Sequence, residues 1–235
     1  MSNTKKCVGI IGGMGPGATA LLFQKIIDHT DAKTDAEHIH IIIDNRPSIP
    51  DRTSAILRGD NTPAKYICES GRKLEEYGAE LIAIPCNTSH YFYPYIQSQL
   101  NIPVIHMPEE TAKECKKSGF GTVGVLATTG TRKTEIYDYA LEKNGIKAVY
   151  PDKDGQELLM SIIYDYVKAG KKADSIMFVN QIEKMISQGV QAFILGCTEL
   201  PMVFQDGDFG IKFIDSLDVL AKRAVELAGY PLKEG

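Results

Sequence analysis

Two cysteines close apolar runs and are followed by short polar tails. Cys86 ends the run Leu81-Ile82-Ala83-Ile84-Pro85 and precedes Asn87-Thr88-Ser89-His90. Cys197 ends Ala192-Phe193-Ile194-Leu195-Gly196 and precedes Thr198-Glu199-Leu200. Runs of this kind read as strands covered on both faces, and in open α/β sheets ligands sit beyond the carboxyl ends of the strands. Hydroxyl and amide residues at that point can cap a helix, and free backbone N–H groups there can bind a carboxylate. The same dipole favours thiolate over thiol, which predicts cysteines that ionise below the free value of about 8.5. One buried cysteine is commonly inert filler. Two in equivalent settings call for chemistry that uses both, and proton transfer at a carbon acid does. One thiolate removes a proton from one face while the opposite thiol delivers a proton to the other, so the centre inverts. A redox disulfide would need the two Cα atoms within about 7 Å, closer than a substrate lodged between them would allow.

The elements that must position these residues alternate along the chain. Strands are expected at 7–12, 38–44, 81–85, 104–106, 122–127, 148–150, 192–196 and 213–215. Amphipathic helices are expected at 18–29, 63–77, 108–117, 134–144, 156–169, 175–188 and 217–227. Such alternation predicts an α/β fold of parallel sheets wrapped by helices.

The pattern also repeats. Val8-Gly9-Ile10-Ile11-Gly12-Gly13-Met14-Gly15 matches Val123-Gly124-Val125-Leu126-Ala127-Thr128-Thr129-Gly130, and the stretch 77–86 matches 188–197. Ile102-Pro103-Val104-Ile105-His106 matches Ile211-Lys212-Phe213-Ile214-Asp215 at nearly the same displacement. Any two apolar strands look alike, but three ordered matches at one spacing indicate a duplicated half. The expected architecture is two similar Rossmann-like α/β domains, residues 1–104 with 216–235 and residues 105–215. A pseudo-two-fold axis would relate them, with the active site in the cleft between.

Composition excludes several classes. The 235 residues carry 26 Lys+Arg against 30 Asp+Glu, a formal charge of −4, with 43 % apolar and 24 % charged residues. This is globular composition, and no basic block suits nucleic acid. No apolar run approaches the roughly 18 residues of a membrane span, and the start of the chain shows no export signal, so a cytoplasmic protein is expected. Five scattered cysteines make a poor disulfide framework and read as reduced thiols, and Cys86 with His90 is half a metal pair at most. Gly13-x-Gly15-x-x-Ala18 fits a dinucleotide fingerprint formally, but the acidic residue expected about 20 residues on is missing. A two-lobed periplasmic binding protein would call for a signal peptide.

The cysteine motifs, Pro85-Cys86-Asn87-Thr88-Ser89-His90 and Gly196-Cys197-Thr198-Glu199-Leu200-Pro201, resemble those of the cofactor-independent aspartate/glutamate racemase family. So do Gly12-Gly13-Met14-Gly15-Pro16, Ile49-Pro50-Asp51-Arg52-Thr53 and Ala127-Thr128-Thr129-Gly130-Thr131, and the resemblance covers nearly the whole chain. Gly13-Met14 and Glu199 stand where the glutamate branch usually has Asp-Ser-Gly and a His, so the aspartate branch is the better match. The resemblance implies a homodimer that works without pyridoxal phosphate or metal on an acidic amino acid. Cys86 and Cys197 would be the catalytic acid/bases. Arg52, flanked by Asp51 and Thr53, would clamp the side-chain carboxylate, and Lys168 would add a second positive charge. By position alone, Lys168 reads as a solvated cation in the last turn of a helix. Asn87, Thr88, Ser89, Thr129, Thr131 and Thr198 would offer donors to the α-carboxylate, with Met14 and Glu199 completing the lining. Arg46 departs from the family pattern; it is expected to face solvent, and turned inward it would rival Arg52. Decarboxylases and isomerases of the same scaffold tend to lack one cysteine of the pair.

Overall fold

A computed structural model describes residues 5–233. Residues 1–4, read above as free of an export signal, lie outside the described residues. The chain divides into two compact units, Met1–Met107 with Leu217–Gly235 and Pro108–Ser216. Each unit is a parallel sheet covered by helices.

The first unit contains β1 (Val8–Gly12), β2 (Ile41–Asn45) and β3 (Leu81–Ala83), in the order β2-β1-β3. The strand expected at 104–106 shrinks to one parallel bridge between Val104 and Ile82. Ile82 N–H donates to the Pro103 carbonyl and Ile105 N–H to the Ile82 carbonyl, both at 2.9 Å. Pro103 has no N–H to extend the ladder, and the helix Met107–Lys117 begins at once. The second unit contains β4 (Thr122–Ala127), β5 (Lys147–Val149), β6 (Ala192–Gly196) and β7 (Lys212–Asp215), in the order β5-β4-β6-β7.

The duplication read in the sequence is present in the backbone register. Val8 pairs with Leu81 in β1/β3, and its match Val123 pairs with Ala192, the match of Leu81, in β4/β6. Ile82 faces Val104, and Phe193 faces Phe213, again matched residue to matched residue. Gly9 and Gly124 occupy the same point of β1 and β4. A Cβ at Gly9 would stand 2.8 Å from Ile82 Cδ1, and one at Gly124 would stand 2.4 Å from Phe193 Cδ1. In both halves glycine lets a large side chain of the adjacent strand cross the sheet surface.

Strands β1 and β3 of the first sheet are packed on both faces, which is why they are apolar throughout. Leu22 and Ile26 of the helix Pro16–His29 lie against Val8, Ile10 and Leu81 with Leu220 and Val225 of the helix Ser216–Leu227. Fully burying one such side chain contributes roughly 1.5–3 kcal/mol. The other face holds Ile11, Ile82 and Ile84 against Ile67 and Leu74 of the helix Thr62–Glu76. In the second unit Leu126, Phe193 and Leu195 pack with Leu159, Ile162, Phe178 and Met185.

Two expected helices differ. The helix at 134–144 breaks into Thr129–Lys133 and Ile136–Glu142, with Glu135 in the left-handed region at φ 55° between them. The helix at 156–169 is α-helical over Lys153–Ser161 and then widens into a π-helical turn over Ile162–Val167. The wider turn lets the neighbours Ile162 and Ile163 both reach the core. No helix among the described residues is long and apolar enough to cross a membrane.

Candidate active site

In the first unit, β1 runs into the turn Gly12-Gly13-Met14-Gly15. Gly13 has φ +92°, and a Cβ there would fall 2.3 Å from the Arg46 backbone, so only glycine fits. Its N–H donates to Thr19 Oγ1 at 2.9 Å, and the Thr19 hydroxyl donates to the Gly15 carbonyl at 3.0 Å. The turn buries Met14 and aims both its ends at candidate residues. The Met14 carbonyl accepts from Arg52 Nη2 at 2.9 Å, and its sulfur accepts from the Ser89 hydroxyl at 3.4 Å.

Arg52 is buried, and its Nη1 donates to the carbonyls of Ile49 and Pro50 at 3.2 and 3.1 Å. These carbonyls fix the plane of the guanidinium, whose fork matches the geometry of a carboxylate. Asp51 caps the helix Arg52–Arg58 by accepting from Ser54 N–H at 2.7 Å, which sets Arg52 and the buried Thr53 in the first turn. Cys86 lies three residues beyond the end of β3, after Ile84 and Pro85, and Asn87, Thr88 and Ser89 continue from it as a buried 3₁₀ turn. Ser89 N–H donates to the Cys86 carbonyl at 3.2 Å. Met14, Arg52, Ser89 and Cys86 therefore gather at the carboxyl ends of β1 and β3. Arg46 is held elsewhere: its guanidinium lies 4.3 Å from the Tyr66 ring centre and pairs with Glu69 at 2.8 Å.

In the second unit, β4 runs into Thr128, which caps the helix Thr129–Lys133. Thr128 Oγ1 accepts from Thr131 N–H at 3.1 Å, and its hydroxyl lies 3.1 Å from Thr131 Oγ1. Thr129 N–H points at the Met160 sulfur, 3.2 Å away. Thr129 and Met160 help line a pocket of about 350 Å³ with Gln156, Ser161 and Tyr164.

Cys197 follows β6 and is buried with Thr198 and Glu199. The Cys197 thiol donates to Glu199 Oε2 at 2.9 Å, and the Thr198 hydroxyl lies 3.3 Å from the same oxygen. Lys168 reaches Glu199 Oε1 at 3.3 Å, with its ammonium 5.1 Å from the Tyr164 ring centre. The solvated last-turn cation expected for Lys168 is thus corrected. The π-helical turn, closed by Lys168 N–H to the Ile163 carbonyl at 2.9 Å, precedes it, and the side chain turns to the cysteine loop. The expected lowering of the thiol is also corrected for Cys197. Burial first, and the Glu199 carboxylate second, push it well above its ordinary value, and Lys168 offsets only part of this.

A family profile described as Asp/Glu/Hydantoin racemase matches residues 11–224. The chain belongs to the Asp/Glu/Hydantoin racemase family. Within this racemase family it is 32 % identical over 222 residues to the broad specificity amino-acid racemase RacX of Bacillus subtilis (strain 168), covering 93 % of this chain and 96 % of that one. It superposes on the aspartate racemase of Picrophilus torridus with a TM-score of 0.82 and 35 % identity, covering 97 % and 96 % of the two chains. An aspartate racemase homologue from Pyrococcus horikoshii OT3 gives 0.79 and 30 %, covering 95 % and 99 %.

Some roles around the racemase motifs were not read from the sequence. His90 underpins the Cys86 turn, with Nδ1 3.0 Å from the Cys86 carbonyl and Nε2 3.2 Å from that of Ile105. Burial first, then the adjacent His106, pull its pKa down to about 4. Its ring is therefore neutral at physiological pH and donates from one nitrogen only. Tyr164 and Gln156 are the others: one lies under Lys168, the other ties its helix to β4 through the Ala127 carbonyl at 2.9 Å. Their signal was helical spacing toward Lys168, which reads equally well as ordinary packing.

Proposed function

We propose that this racemase-family chain interconverts L- and D-aspartate, with Cys86 and Cys197 as the two acid/bases and no pyridoxal phosphate. The observation that carries the reading is the pair of cysteines at matched ends of β3 and β6, in two sheets of identical register. One thiolate takes the α-proton, and the electron pair rests on the planar carbanion. The other thiol returns a proton to the opposite face, and a single turnover leaves the thiol and thiolate exchanged. Substrate and product are mirror images, so one duplicated scaffold serves both directions. Asn87, Thr88, Ser89, Thr129, Thr131 and Thr198 are assigned to the α-carboxylate, and Met14 to the lining. Arg52 is assigned to the side-chain carboxylate, because it is a buried guanidinium with its plane fixed by backbone carbonyls and a fork that suits a carboxylate. The expected homodimer and cytoplasmic location belong to the same reading.

A broader specificity is the second reading. It draws support from Lys168, whose charge already faces Glu199 and so offers a substrate carboxylate less. The test is to incubate the protein with L-aspartate in D₂O without added pyridoxal phosphate, following circular dichroism and α-deuterium. Cys86→Ala and Cys197→Ala should each abolish racemisation. Loss of a charge-assisted contact costs roughly 1.5–3 kcal/mol, so kcat/KM for aspartate should exceed that for alanine by at least about tenfold. Arg52→Ala should remove most of that preference. Equal rates for aspartate and alanine would establish the broad reading, and no inversion of any amino acid would refute both.

A further inference from the structure

The duplicated halves differ at one chemically decisive place. Aligned on their cysteines, Cys86-Asn87-Thr88 and Cys197-Thr198-Glu199 put a threonine in one half where the other has a carboxylate. The Glu199 carboxylate accepts the Cys197 S–H at 2.9 Å, the Thr198 hydroxyl lies 3.3 Å from the same oxygen, and Lys168 holds the other oxygen at 3.3 Å. Among the described residues the Cys86 thiol makes no hydrogen bond, and His90 meets the backbone carbonyl of Cys86 rather than its sulfur. The two cysteines are equally buried, 6 % and 7 % exposed, so access does not distinguish them.

We propose that Glu199 keeps Cys197 as the resting thiol and leaves to Cys86 the role of base on the free enzyme. A carboxylate can only accept, so its hydrogen bond to sulfur exists with the thiol and turns into like-charge repulsion with the thiolate. Lys168 and Glu199 are the charged groups that face Cys197. The lysine draws part of the carboxylate's charge. Glu199 thereby acts as a positioning residue for a proton and leaves the substrate to others. The free enzyme is set to receive the enantiomer whose α-hydrogen faces Cys86, and Cys197 supplies the proton on the far side. The catalytic meaning rests on the two-cysteine reading above; the protonation assignment does not.

The test is cysteine-resolved alkylation of the full chain with limiting iodoacetamide from pH 6 to 10, read by peptide mass spectrometry. In the wild type, Cys86 should react at least tenfold faster than Cys197 at neutral pH, with the Cys197 profile displaced to higher pH. Glu199→Gln should move the Cys197 profile to lower pH and raise its rate at least several-fold, leaving Cys86 unchanged. A merely structural role for Glu199 predicts loss of selectivity at every cysteine. Equal wild-type rates and profiles for the two cysteines would overturn the assignment without any variant. So would a Glu199→Gln profile for Cys197 identical to wild type. The expected labelling alongside failure to invert aspartate would count against the proposed function and leave this assignment standing.

Discussion

Gly124→Ala tests the duplicated register through a contact that has little room to relax. The new Cβ would lie 2.4 Å from Phe193 Cδ1, 2.5 Å from its Cε1 and 3.1 Å from Met185 Cε. Ordinary carbon contacts are about 3.5–4.0 Å, so the ring must retreat by roughly 1 Å. Phe193 is fully buried and stacks on Phe213 at 5.5 Å, which stacks on Phe204 at 5.5 Å, so its retreat displaces a packed row. Overpacking of this sort costs about 1–3 kcal/mol, with the upper end applying to a ring locked in a packed row, and alanine recovers about 0.5–1 kcal/mol of unfolded-chain entropy. A net loss of about 2 kcal/mol is expected, or roughly 4–8 °C in Tm at this chain length. Gly9→Ala is the internal control. There the nearest atom, 2.8 Å away, is the mobile Cδ1 end of Ile82, although Ala79 Cβ at 3.0 Å is stiff, so about 1 kcal/mol is expected. Thermal melts by circular dichroism measure both, and Phe193→Leu in the Gly124→Ala background should restore at least about 1 kcal/mol through coupling of touching residues. A Gly124→Ala melt within 1 °C of wild type, a larger fall for Gly9→Ala, or additive behaviour of Phe193→Leu would refute the packing argument.

Two further predictions concern stability and substrate affinity. Asp218 lies 3.0 Å from Lys25, 2.7 Å from His29 and 2.8 Å from Lys222; burial pushes its carboxyl up, but these contacts outweigh burial and hold it well below the usual range. A folded-state pKa below the unfolded value of about 3.9 means the stabilisation is present above that pH and is lost as pH falls toward the folded value. Asp218→Asn should therefore cost about 1–2 kcal/mol at pH 7 and flatten the acid limb of a urea-midpoint against pH curve. Thr128→Ala removes the cap that accepts Thr131 N–H, so it should cost about 1 kcal/mol in melts and raise KM for aspartate several-fold while Cys86 and Cys197 alkylation is unchanged.

The strands were legible because burial on both faces writes them as unbroken apolar runs, and Val8 pairs with Leu81 as Val123 pairs with Ala192. Strand 104–106 was over-read because apolar character does not report that Pro103 leaves the ladder one bridge long. The π-helical turn was hidden because Ile162 and Ile163 fit an α-helical pattern until both must be buried. The site was legible where chemistry is local, as with the cysteines and their polar tails. It was not legible where partners are distant in sequence. Lys168 meets Glu199 across 31 residues and Arg46 meets Tyr66 and Glu69 on another helix, and no spacing rule connects them.

On the proposed two-cysteine reading, the duplication also explains why a symmetric scaffold needs an asymmetric pair of side chains. Two-base inversion requires one thiol and one thiolate at the same moment. Two identical sulfur environments would leave the proton with no preferred site, and repulsion between two thiolates, or the lack of any base with two thiols, would make those states unproductive. Register and glycine placement are kept between the halves, so both sulfurs follow matched strands. The residue two positions beyond each cysteine is not kept, and there a carboxylate in one half faces a hydroxyl in the other. In the assignment proposed above, that single difference gives the proton a preferred site without disturbing the backbone that presents either cysteine.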